Sequence, residues 1–244
     1  MDMKVFSQVE TQRLYQQVAG QVMELLNEGR WEVGDRLPAE REIAAQLGVS
    51  RPVVREAMIA LEILGLVQVK IGSGIYVKSL VTDATPVLAS GEDPGPSPFD
   101  LIQSRRIIEG ETAAIAAENS SPAILESLAA SIKKMEGDAK LGKQNLTHRE
   151  DGDWFFHSQI AAATGNAVMQ SIVEQLWEGM RRPIFTAICV RVSLPENALR
   201  AVQDHKIILQ AIGDKNPEAA RKAMWAHIDQ VRHFIFNGNE EGTP

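Results

Sequence analysis

The chain carries five histidines, and helical phase separates those that could act together from those that could not. At about 100° per residue, Asp153, His157, Ile160 and Thr164 share one helical face, with Phe156 beside it. His205 falls with Ile208, Leu209 and Ile212, and His227 with Ala220, Ala223, Met224, Val231 and Phe234. His148 sits in a polar stretch, and His233 shares a side with Asp229 and Asn237. An aspartate four residues before a histidine has a plain explanation as a contact along one helix. A single inward histidine is most often a core residue with its hydrogen bonds met. Three inward histidines on three helices, together with an inward carboxylate, ask for more, because an unpaired buried carboxylate is costly. A divalent cation held by Asp153, His157, His205 and His227 would satisfy all four groups at once. Such a donor set suits Zn²⁺ or Ni²⁺ ahead of Fe or Mn. Asp151 is out of phase with His157 and takes no part.

Two arginines raise a second question. Arg51 stands in the first turn of a helix opened by Ser50, where the macrodipole disfavours a cation. Arg55 follows one turn later on the same face. Two cations so placed are a poor choice for stability and a good one for reading phosphate or guanine, where a bidentate contact gives roughly 1–3 kcal/mol of discrimination. The plain alternative pairs them with Glu40, Glu42 or Glu56.

The elements that must position these groups follow from periodicity and punctuation. Leu14, Val18, Val22, Leu25 and Leu26 mark a first amphipathic helix. Glu40 to Leu47 is a short helix closed by Gly48. Ser50 caps a helix running to about Leu64, and Gly65 stops it. "LVQVK" and "IYV" flank "IGSG", a glycine-rich hairpin. Residues 8–79 therefore form one domain and 80–98 a linker, dense in proline and glycine. Residues 99–237 form an all-helical domain of six or seven helices. Its expected helices cover about Phe99–Asn119, Pro122–Leu141, Leu146–Thr164, Asn166–Val190, Pro195–Gly213 and Pro217–Phe236, with Pro183 kinking or splitting the fourth. The fold class is mainly α, a winged helix-turn-helix followed by a helical bundle.

Composition narrows the function classes. With 44% hydrophobic and 23% charged residues, the chain reads as a soluble globular protein. No apolar run approaches the roughly 18 residues that cross a bilayer, and "MDMKVFSQVE" lacks the features of a signal peptide. The lone Cys189 excludes an internal disulfide, fits a cytoplasmic location and reads as a small buried hydrophobe. Residues 1–78 hold nine basic and ten acidic side chains, within a total net charge of −7. Any DNA binding must then come from placed arginines rather than bulk charge.

The stretch "LPAEREIAAQLGVSRPVVREAMIALEILGLVQVKIGSGIYV" resembles the winged-helix domain of the GntR family. The resemblance implies DNA contacts by Arg41, Arg51 and Arg55. It departs at the wing tip, where Ile71 stands in place of the frequent His or Arg; Lys70, or the amides of Gly72 and Gly74, would touch phosphate instead. "DWFFHSQIAAATGN", followed by His205 and His227, resembles the metal-binding sensor domain (FCD) of the FadR subfamily, which implies metal ligation by Asp153, His157, His205 and His227. "SPFDLIQSRRIIEGETAAIAA" and "AARKAMWAHIDQV" are similar to hexuronate-operon regulators in particular. There Arg105 matches a position that clamps the effector carboxylate, although a salt bridge with Glu109 would explain it equally. Asn166 could bond an effector hydroxyl or cap a helix.

The expectation is a cytoplasmic, homodimeric repressor that binds double-stranded operator DNA and no membrane. A small carboxylate, a sugar acid such as a hexuronate, would bind beside the metal. Alternatives are a regulator sensing lactate, a dicarboxylate or an amino acid, a metal-dependent hydrolase fused to a DNA-binding head, and an acyl-CoA sensor. No further base stands at a recognisable distance to serve a hydrolase. Acyl-CoA sensors of this kind lack the Asp–His–His–His set.

Overall fold

The computed structural model describes residues 13–70, 73–80, 95–140, 151–182, 185, 186, 189 and 195–237. The chain divides into two compact units, Met1–Gly91 and Glu92–Pro244. His148, Pro183, the wing-tip residues Ile71 and Gly72, and 81–94 of the expected linker lie outside the described residues.

The first unit contains α1 (Leu14–Asn27), α2 (Glu40–Leu47), α3 (Arg51–Ile63), β1 (Val67–Lys70) and β2 (Gly74–Val77). Helix α1 buries Tyr15, Val18, Ala19, Val22 and Leu26 and packs on α3. Leu14 and Leu25, expected in the same stripe, are exposed. Gly48 closes α2 with φ of 66°, a left-handed conformation that costs glycine little. Ser50 has the extended backbone of an N-cap, but its side chain makes no capping bond. Burial of Val54, Ala57, Met58 and Leu61 fixes the inner face of α3 and leaves Arg51 and Arg55 on the outer one. β1 and β2 pair antiparallel from Val67 with Val77 to Lys70 with Gly74. The 34–37 segment backs β2, with Leu37 N–H donating to Ile75 O at 2.8 Å and Val77 N–H to Asp35 O at 2.9 Å.

The second unit contains α4 (Pro98–Glu118), α5 (Pro122–Lys140), α6 (Gly152–Ala163), α7 (Ala167–Met180), α8 (Pro195–Gly213) and α9 (Pro217–Asn237). Helix α4 is central and packs against α6, α7, α8 and α9. Its Ala113, Ala114, Ala116 and Ala117 are buried, so neighbours approach closely from several sides. Proline opens α4, α5, α8 and α9, where its missing N–H is no loss.

One helix differs from expectation and one divides as expected. α6 starts at Gly152 rather than Leu146, because the Asp151 side chain accepts from Asp153 N–H at 3.2 Å and caps it. Gly152 is needed there: a Cβ would stand 2.7 Å from the carbonyl oxygen of Ser131 on α5. The expected Asn166–Val190 helix is divided, in line with the expected kink or split: α7 ends at Met180 with Arg181 as its C-cap, and residues 185, 186 and 189 are helical again. Among the described residues no helix is long and apolar enough to cross a membrane.

Candidate functional site

Helices α6, α8 and α9 bring Asp153 and His157, His205, and His227 together; one ligand atom from each lies within 4.8 Å of all the others. The three imidazoles are buried. Asp153 Oδ1 stands 2.9 Å from His205 Nε2 and 3.4 Å from His157 Nε2, and the two Nε2 atoms are 3.2 Å apart.

Tautomers decide what this cluster wants. His205 Nδ1 lies 2.6 Å from Ala201 O, a carbonyl that can only accept, so the proton of a neutral His205 is on Nδ1. His157 Nδ1 lies against Glu109 Oε2, again an acceptor. With neutral rings in those tautomers, both Nε2 atoms would turn lone pairs toward each other and toward Asp153 Oδ1. That oxygen and His157 Nδ1 are both buried without an aligned hydrogen bond. Electron pairs converging on one point repel unless a cation lies among them. The residues present therefore fit a divalent metal.

The charges around the cluster follow from its contacts. Burial alone would raise the Asp153 carboxyl, yet His157 and His205 hold it well below the ordinary carboxylate range. Burial likewise opposes ionisation of Glu109, but Arg105 and His157 bring it down to about 2. His227 is lowered to about 4 by burial and the neighbouring His205. His157 is raised, since Glu109 and Asp153 outweigh burial. Asp151 is pushed up to about 7 by burial and by Asp153. Cys189 is pushed up to about 12 by burial, which makes it a poor nucleophile.

A cavity opens beside the cluster, bounded by Arg105, Asp153, Asp204, His227, Asn197 and Gln230, with apolar walls from Phe185, Val231, Phe234 and Ile235. Arg105 is buried and its pair with Glu109 is formed, Nε to Oε1 at 2.6 Å and Nη2 to Oε2 at 3.3 Å. Its Nη1 lies 3.1 Å from Met180 Sδ, and its guanidinium covers the Trp177 ring at 4.5 Å. The salt bridge and the cavity position thus hold together. Arg106 faces elsewhere, onto Asp229 at 3.0 Å and the Trp225 ring at 4.6 Å. Asn166 takes the second of its two readings, the helix cap. It is exposed and caps α7, accepting from Val168 and Met169 N–H at 3.0 and 3.3 Å, and it does not line the cavity.

On the first unit, Arg41 and Arg51 are exposed, and Arg55 is half-buried. Glu40 on α2 gathers two of them: Arg55 Nε and Nη2 donate to its carboxylate at 3.0 and 2.9 Å, while Arg51 Nη2 stands 3.9 Å away. Arg41 Nη2 is 4.0 Å from Glu42. The Arg41 and Arg51 pairs are exposed, long and weak, whereas the Arg55–Glu40 pair is bidentate and part-buried. Lys70 Nζ rests over the Tyr76 ring at 4.8 Å. Sequence reasoning missed Trp177 and the contact of Glu109 with His157. Neither has a signal in periodicity, because each depends on which helix lies opposite.

Comparison with known proteins divides at the same places. Residues 14–77 match the "Bacterial regulatory proteins, gntR family" description, and residues 100–230 match the FCD domain. The Uxu operon regulator of Haemophilus influenzae is 33% identical over 95% of this chain and 85% of its own length. The Uxu operon transcriptional regulator of Escherichia coli is 37% identical, covering 94% of this chain and 90% of its own. A solved structure of Lar, described as controlling expression of the Listeria monocytogenes agr system, superposes with a TM-score of 0.50 at 20% identity, covering 94% of this chain and 99% of that one. This last likeness speaks to fold alone.

Proposed function

Because the chain belongs to the GntR family of bacterial regulators, with an FCD domain behind its DNA-binding head, we propose that it is a repressor of sugar-acid catabolism whose effector is a hexuronate. Its relatives are transcriptional regulators rather than enzymes, and ligand-responsive DNA binding is its function. Arg41, Arg51, Arg55 and Lys70, with the wing-tip amide of Gly72, contact operator DNA. Asp153, His157, His205 and His227 would hold Zn²⁺ or Ni²⁺, and the metal would supply Lewis acidity toward an oxygen of the effector.

The chain's own residues do the rest. Glu109 and the Ala201 carbonyl keep the protons of His157 and His205 on Nδ1. Arg105 places a guanidinium at the cavity wall beside Asp153 and His227, where an effector carboxylate would meet it. Asn197, Asp204 and Gln230 offer partners for sugar hydroxyls along the same cavity. A homodimer would set two heads over the half-sites of a palindrome. The effector acts by binding better to one spacing of those heads than to the other.

The observation that carries this reading is the convergence of the His157 and His205 Nε2 atoms and a carboxylate oxygen beside a cavity lined by a buried arginine. The experiment is a thermal-shift panel of uronates, aldonates, lactate, dicarboxylates and amino acids, with metal analysis of the same sample. Uronates should stabilise the protein, and Asp153→Ala and His205→Ala should lose both the metal and that response. Stabilisation by lactate or an amino acid instead would overturn the hexuronate assignment; full metal content in both variants would overturn the ligand set.

A further inference from the structure

We propose that Glu109 is a positioning residue for the metal centre: from α4 it holds the Nδ1–H of His157 and so aims that ring's Nε2 at the metal point, with Arg105 holding Glu109 in turn. This rests on the metal reading given above. The two imidazoles whose Nδ1 atoms face acceptors are held in different ways. His205 uses the carbonyl of Ala201, one turn back on its own helix, so α8 orients it unaided. Among the described residues His157 has no such backbone partner, and its Nδ1 meets a carboxylate from another helix.

Glu109 is almost wholly buried, and both its oxygens are used. Oε1 takes Arg105 Nε at 2.6 Å; Oε2 faces Arg105 Nη2 at 3.3 Å and also His157 Nδ1. A buried Arg–Glu pair does little for stability that apolar residues could not do. Its third member, His157, is what a mere core salt bridge leaves unexplained. A carboxylate on the far nitrogen of a ligating histidine fixes ring orientation and raises ligand basicity, and its loss typically weakens metal binding about 10–100-fold.

The test uses the full chain, loaded with Zn²⁺ for affinity by chelator competition and with Co²⁺ for its visible spectrum. Glu109→Gln should bind Zn²⁺ about 10–100-fold more weakly and alter the Co²⁺ bands. Glu111→Gln, on the same helix as Glu109 but in a surface pair with Arg221 of α9, should leave both unchanged. Zn²⁺ binding by Glu109→Gln within about twofold of the parent, with the same Co²⁺ spectrum, overturns the proposal. Should that variant fail to fold, long-range ¹H–¹⁵N correlation on the zinc-loaded parent decides. A proton on Nδ1 of His157 and zinc on Nε2 is expected, and the reverse overturns the proposal. A parent that takes up neither metal overturns the metal reading itself, and this proposal with it.

Discussion

At the scale of single residues, the chain separates groups that hold position from groups that meet a partner. Glu40 illustrates the first: its carboxylate receives Arg55 at 2.9 Å, which keeps the guanidinium from wandering without closing off its outer edge. Arg51, 3.9 Å from the same carboxylate and well exposed, is nearly free to reach a base. Arg51→Ala and Arg55→Ala should therefore each weaken specific operator binding by roughly 10–100-fold, the worth of one bidentate base contact, with circular dichroism unchanged. A gel-shift titration checks this, and operator affinity equal to the parent's would contradict it. The histidines were legible in the sequence because a 3.6-residue period assigns each to a face. Glu109 was not, because phase says which way a side chain points along its own helix and nothing about the ring it meets 48 positions away.

At the scale of elements, the entry into α6 matters most for the metal centre. Asp151 caps that helix and Gly152 lets it lie against α5 immediately before Asp153. Gly152→Ala should push α6 off the Ser131 carbonyl, costing about 1–3 kcal/mol of stability as overpacking does, and should also weaken metal binding by displacing Asp153. Chemical denaturation and metal titration read the two effects; unchanged metal affinity would show that α6 tolerates the shift. Asn166 makes the opposite case. Asn166→Ala removes the cap of α7 and should cost about 1 kcal/mol while leaving the effector response intact, as thermal shift with and without ligand can show. Helix starts marked by proline were legible to within a residue: Pro122, Pro195 and Pro217 open α5, α8 and α9. The start of α6 was not, since a side-chain cap and a close approach to α5 override apolar periodicity there.

At the scale of the whole molecule, the division of labour is between a head that carries the arginines and a helical unit that carries the cluster and its cavity. The motif stretches of the head and the inward histidines of the helical unit were readable from sequence. The cavity was not, because its wall joins residues as distant as Arg105, Asp204 and Gln230. The central claim is that an acid effector binds beside a metal held by Asp153, His157, His205 and His227. Its most direct test is calorimetric titration of galacturonate and glucuronate into zinc-loaded and chelator-stripped protein. At least one uronate should bind the loaded protein, and stripping should weaken it by at least about tenfold, or roughly 1.4 kcal/mol. Equal affinity in the two preparations, or no binding of either uronate to the loaded one, would contradict the account.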